Sequence, residues 1–144
     1  MTPRPPISRY APAVSSLPAP STQLRRHADR LHVLISAPRD VLPESRLREV
    51  LVDELATLRE LLLRHFASEE EGGYLSSLLE GRPELTAEAA QLLAQHATLR
   101  ADFDGLIGDA PQASLPDLLE RIATVLETFD AHEHAETTLL AHAR

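Results

Sequence analysis

Apolar residues recur every three or four positions along four stretches of the chain, which is the spacing expected of amphipathic helices. The first stretch stops before Pro38, because the residue that precedes a proline is disfavoured in the helical conformation. Gly72 and Gly73 end the second stretch, and Ser114 is a suitable N-cap for the fourth. The predicted helices cover approximately residues 21–34, 44–71, 86–107 and 115–144.

The connections between these helices are short, which favours an all-α fold, an up-down-up-down four-helix bundle. Residues 74–85 are predicted to connect the second and third helices, with a short helical turn over residues 75–79. Six prolines within the first twenty residues exclude a regular helix there. We therefore expect one domain over residues 21–144, preceded by a proline-rich N-terminal arm over residues 1–20.

The composition narrows the classes of partner. The formal net charge of −8 disfavours nucleic acid as a partner, because binding to phosphate backbones requires clustered Lys and Arg. No apolar run is long enough to cross a membrane and the N terminus does not resemble a signal peptide, so we expect no membrane association and a cytoplasmic location. The chain contains no cysteine, so any bound metal must be held by nitrogen and oxygen atoms.

Each predicted helix carries one histidine on its apolar stripe, where the side chain must point into the core. The other three histidines, His32, His134 and His142, fall off these stripes. In the second and fourth helices a glutamate follows the inward histidine by four residues and lies on the same face. The inward polar set is His27, His65, Glu69, His96, His132 and Glu136.

Burying six such groups together is costly unless something satisfies them. Two octahedral metal ions would remove that cost, because four imidazoles and two bridging carboxylates fill about eight of about twelve coordination positions and leave the rest for a small ligand. Imidazole and carboxylate donors suit iron or manganese better than copper(I) or calcium. We therefore predict two iron ions, with manganese or a mixed pair as the alternative.

Each of these residues also has an explanation without metal. A single inward histidine is more often a hydrogen-bonded core residue than a ligand, and Glu69, Glu70 and Glu71 resemble a solvated helix end. The joint pattern favours the metal site, since independent core residues have no reason to recur on all four helices. Glu70 lies on the flank of the stripe and is expected at most to support a ligand.

The chain resembles the hemerythrin-like, or HHE cation-binding, domains over about residues 22–144. The resemblance rests on the segment HFASEE at residues 65–70, on the GGY that follows at residues 72–74, and on the pair His132 and Glu136. It implies a di-iron centre with the ligands His27, His65, Glu69, His96, His132 and Glu136.

The resemblance to the oxygen-carrying hemerythrins is incomplete. Those proteins place two histidines four residues apart on the third helix, whereas Leu92 and Arg100 occupy the positions four residues on either side of His96. They also use an aspartate five residues after the last histidine, whereas Glu136 follows His132 by four. The ligand set is more similar to the di-iron domain of iron–sulfur cluster repair proteins, although those carry a cysteine-containing N-terminal segment and this chain has no cysteine. This departure argues against reversible oxygen carriage.

The expected function is a non-heme di-iron protein that binds dioxygen or nitric oxide, as sensor, scavenger or store, because coordination positions remain open. Iron storage or donation in the repair of iron centres is one alternative, and a peroxidase-like di-iron enzyme is another. The enzyme is less favoured, since the sequence shows no obvious substrate pocket or dedicated acid–base group, and ferritin-like oxidases use more carboxylates. A structural or partner-binding bundle without metal would need the six polar groups to satisfy one another.

Overall fold

The computed structural model describes residues 20–71 and 80–143, and over these residues the chain is an all-α four-helix bundle. The helices are α1, Pro20–Ser36; α2, Glu44–Glu71; α3, Thr86–Asp109; and α4, Leu115–Ala143. A short 3-10 helix, Pro83–Leu85, leads into α3. The predicted fold class is confirmed, and the helix ends differ from the predicted ones by at most two residues. The predicted arm up to residue 19 and the predicted turn at 75–79 lie outside the described residues.

Helices adjacent in the chain pack against each other, and α4 closes the bundle against α1. Arg48 of α2 fixes the connection between α3 and α4, because its Nη1 donates hydrogen bonds to the carbonyl oxygens of Ala110 at 2.6 Å and Ala113 at 2.7 Å. Ser114 Oγ accepts a hydrogen bond from the N–H of Asp117 at 3.2 Å. This is the N-cap that the sequence indicates, and α4 begins there.

Two apolar clusters fill the interior. The larger one contains Phe66, Phe103, Phe129 and leucines from all four helices. The smaller one consists of Leu85, Ala89, Leu92 and Leu139. Burial of these side chains supplies most of the free energy that favours the folded state.

Buried polar side chains separate the two apolar clusters along the helices. In α3, His96 lies between Leu92 of the smaller cluster and Leu99 of the larger one. In α4, His132 lies between Phe129 of the larger cluster and a leucine of the smaller one. The exposed fractions of His96 and His132 are only 1% and 3%, so both imidazoles are enclosed by the bundle.

The helices of the bundle carry charged residues at regular intervals between their apolar ones. Within residues 20–71 and 80–143, no helix combines the length and apolar character needed to cross a bilayer.

Replacement of Leu55 by alanine should destabilise the fold by about 2–5 kcal/mol, because this fully buried side chain leaves a cavity in the larger apolar cluster. Leu93→Ala is the matched control, since Leu93 is 39% exposed and its loss should cost less than about 1 kcal/mol. Urea denaturation followed by circular dichroism gives the free energy of unfolding of both variants. Equal losses would contradict this assignment of the core.

Candidate metal centre

Five of the six residues expected to bind metal lie together in the bundle. His65 and Glu69 come from α2, and His96 comes from α3. His132 and Glu136 come from α4. The four-residue step within each His–Glu pair places both side chains on the inner face of their helix, one turn apart.

The five side chains form two groups of three possible ligands that share one member. The α3–α4 group consists of His96, His132 and Glu136. The α2–α4 group consists of His65, Glu69 and Glu136. Within each group the donor atoms lie within 4.8 Å of one another, close enough for the group to hold a metal ion.

Each glutamate faces two histidines and directs one carboxylate oxygen to each. Glu69 Oε1 lies 3.3 Å from His96 Nε2, and Glu69 Oε2 lies 3.6 Å from His65 Nε2. Glu136 Oε1 lies 3.7 Å from His65 Nε2, and Glu136 Oε2 lies 3.7 Å from His132 Nε2. Both carboxylates therefore stand between histidines that belong to different groups.

Four buried polar atoms in this cluster have no hydrogen-bond partner among the described residues. They are Glu69 Oε1, Glu69 Oε2, His96 Nε2 and His132 Nε2. The 3.3 Å approach of His96 Nε2 to Glu69 Oε1 is not aligned as a hydrogen bond. A buried polar atom without a partner costs about 1–3 kcal/mol, and a charged one costs more. A metal ion accepts lone pairs from nitrogen and oxygen alike, so this donor set fits a bound metal.

Two of the histidines are held by hydrogen bonds on the far side of their rings. His96 Nδ1 lies 2.6 Å from Glu70 Oε2, and His132 Nδ1 lies 2.7 Å from Gln95 Oε1. A ring that donates from Nδ1 keeps the lone pair of Nε2 for the interior of the cluster. Phe66 stacks on His96 with ring centroids 3.7 Å apart and so fixes the plane of that ring. Glu70 thus contacts a histidine of the cluster, and so does Gln95, which the sequence did not signal.

Burial and neighbouring charges set the protonation of the cluster. Burial, together with the nearby His96, lowers the pKa of His132 to about 4, so near pH 7 this imidazole is neutral, which is the form that binds metal. The carboxylate of Glu136 raises the pKa of His65. Burial raises the pKa of Glu69, whereas at Glu136 the effect of burial is outweighed by His65 and His132, and the pKa is lowered.

His27 does not join the cluster, because it lies at a different level of the bundle. Its Nδ1 contacts Oε1 of Glu54, which precedes His65 by eleven residues, or about 16 Å along α2. In an antiparallel helical hairpin such as α1 and α2, residues equally far from the connection lie opposite each other. His27 lies nine residues before the end of α1, and Glu54 lies ten residues after the start of α2. His65 lies 21 residues from that start, beyond the 17 residues of α1. This corrects the expectation that all four inward histidines meet at one level.

The three histidines predicted to fall off the apolar stripes lie outside the cluster. His134 and His142 are exposed. His32 is half-exposed, and its Nε2 lies 3.2 Å from Asp130 Oδ2. Asp130 also accepts a hydrogen bond from Arg25 at 2.9 Å, so His32 and Arg25 of α1 contact the same carboxylate of α4.

An open cavity of about 880 Å³ adjoins the α2–α4 group. All three members of that group form part of its wall, whereas His96 and His132 do not. Arg25 and Arg26 of α1 also line it. The volume lies in the range of ligand pockets, roughly 300–1,000 Å³. The sequence did not indicate a substrate pocket, whereas the structure has an open cavity beside this group.

Comparison with known proteins identifies no relative, since no protein-family model, curated protein or solved structure matches the chain. The resemblance to hemerythrin-like domains accordingly rests on the pattern of histidines and glutamates.

Substitution of His65 or His132 by alanine should remove at least roughly half of the bound metal, because each variant loses one donor of the cluster. His32→Ala and His142→Ala are the controls and should keep the metal content of the unmodified protein, since both residues lie outside the cluster. Elemental analysis gives the metal content per chain of each variant. Circular dichroism checks that each variant is folded. Equal effects from all four variants would contradict the assignment of ligands.

Removal of the Glu70 side chain should weaken metal binding by about 10–100-fold, the usual effect of losing the hydrogen-bond partner of a ligating histidine. Glu71→Ala is a matched control, because Glu71 is exposed and its loss changes the net charge equally. Competition with a chelator gives the dissociation constant for iron(II) in each variant. A Glu71→Ala variant as weak as Glu70→Ala would show that charge, and not the orientation of His96, determines the affinity.

Proposed function

We propose that this chain is a hemerythrin-like, non-heme di-iron protein that binds dioxygen or nitric oxide. The observation that carries the proposal is a cluster of three histidines and two glutamates, three of them buried, in which four polar atoms lack hydrogen-bond partners among the described residues. Apolar residues would fill the same space at lower free energy, so a set of this kind is expected where a cation satisfies it.

Two ions suit this set better than one. The donors divide into two groups that share Glu136, and Glu69 likewise directs one oxygen to a histidine of each group. A carboxylate in such a position can bridge two ions, and bridging uses both oxygens of each glutamate. A single ion would leave one of the two groups unsatisfied.

Iron fits the chemistry of the donors. Three imidazoles and two carboxylates suit iron, while copper(I) prefers sulfur ligands and calcium prefers all-oxygen sites. Manganese, or a mixed pair of iron and manganese, shares these preferences and is the alternative.

Open coordination positions account for the proposed gaseous ligand. Two octahedral ions have about twelve positions, of which three imidazoles and two bridging carboxylates occupy about seven. The α2–α4 group contains only one histidine and borders the cavity, so a small ligand reaches the centre from that side. Bound iron would supply the coordination of dioxygen or nitric oxide. The chain orients the donors and keeps the α3–α4 group away from bulk water.

Two observations support the alternative functions. The α2–α4 group has a single histidine and would hold its ion less firmly, which suits iron storage or donation in the repair of iron centres. The cavity can admit a substrate larger than a diatomic gas, which suits a peroxidase-like enzyme. Iron that is lost readily on dialysis would favour the first alternative, and turnover of peroxide with a reducing substrate would favour the second.

Elemental analysis and absorption spectroscopy of aerobically purified protein test the proposal. We expect about two irons per chain, with charge-transfer bands that change on reduction and on exposure to dioxygen or nitric oxide. His96→Ala should lose these bands, because it removes a fully buried donor of the α3–α4 group, whereas His32→Ala should retain them. Folded protein that takes up no iron, even when reconstituted with iron(II), would contradict the proposal and favour a bundle without metal.

A further inference from the structure

The cavity beside the α2–α4 group is much larger than dioxygen or nitric oxide requires. Its volume of about 880 Å³ is sufficient for a small organic molecule. Three residues that carry hydroxyl groups, Thr22, Ser68 and Thr137, line it together with Leu140. A wall that combines hydrogen-bonding groups with apolar surface is typical of pockets for organic ligands.

Most of the charges in the cavity wall outside the metal centre are paired with each other. Arg25 donates hydrogen bonds to Asp29 at 3.1 Å and to Glu133 at 3.3 Å, and these are the wall's two acidic residues outside the α2–α4 group. Arg25 also donates to Asp130 at 2.9 Å. Its guanidinium is therefore shared by three carboxylates, two of which belong to the wall.

Arg26 is the second cationic residue of the wall. It lines the cavity, and its guanidinium has no ion-pair or hydrogen-bond partner within residues 20–71 and 80–143. A guanidinium binds a carboxylate through two parallel hydrogen bonds, which gives both affinity and orientation. At the metal end of the same cavity, two divalent ions facing Glu69 and Glu136 would leave net positive charge.

We propose that the cavity binds a small organic dicarboxylate, with one carboxylate on Arg26 and the other at the open side of the α2–α4 group. This inference rests on the proposed di-iron centre, which supplies the positive charge at the inner end of the cavity. Both ends then favour a negative group, and Leu140 offers apolar surface to the methylene chain between them.

Calorimetric titration of the iron-loaded full chain with unbranched dicarboxylates from succinate to suberate tests the inference, with absorption spectra recorded in parallel. We expect at least one of these acids to bind and to shift the charge-transfer bands. Arg26→Gln should weaken that binding roughly tenfold, because the charge-assisted hydrogen bonds are lost. Arg39→Gln is the matched control and should bind normally, since Arg39 is an exposed residue of the α1–α2 connection and does not line the cavity.

Three results would overturn the inference and leave the di-iron proposal standing, provided that iron content and the response to gas are normal. They are failure of every acid to bind, equal affinity in the Arg26→Gln variant, and equally tight binding of the neutral butane-1,4-diol. Extraction of iron by the acids, detected by elemental analysis after the titration, would also count against it. Protein that takes up no iron would overturn both proposals.

Discussion

The structure depends on the burial of charged and polar side chains inside a bundle that is otherwise packed with leucine and phenylalanine. Glu69 and His96 are only 5% and 1% exposed, and unsatisfied charge at that depth opposes folding. Hydrogen bonds to Nδ1 of His96 and His132 direct each Nε2 into the interior. Along α3 and α4, apolar clusters lie before and after these histidines. A cation bound here would therefore stabilise the fold as well as perform the proposed function.

The two groups of possible metal ligands differ in burial and in the number of histidines. The α3–α4 group has two almost fully buried histidines, each held by a hydrogen bond to its Nδ1. The α2–α4 group has one histidine, the half-buried His65, and borders the cavity. An ion in the first group would have rigid ligands in dry surroundings, whereas an ion in the second could exchange ligands with the cavity. The proposed gas binding and the inferred dicarboxylate binding would both use this open side.

Much of this could be predicted because it depends on local preferences of the chain. The helix ends near Pro38, Gly72 and Ser114 follow from backbone preferences of single residues, and the structure agrees with them to within two residues. The helical period likewise assigned His96 and His132 to the core, where both are buried. Gln95 could not be predicted, since a glutamine beside an inward histidine has no distinctive pattern until a neighbouring helix brings His132 to it.

The four helices, the face of each that packs in the core, and the polar residues on those faces could be predicted from the pattern of residues along the chain. Which of those polar residues come together depends on how the helices pack. His27 lies on the inner face of α1, yet it contacts Glu54, because the level at which it meets α2 depends on where the hairpin turns. The cavity beside His65 likewise depends on how α1 approaches α2 and α4. A helical period gives direction around an axis, but it carries no information about height along a neighbouring helix.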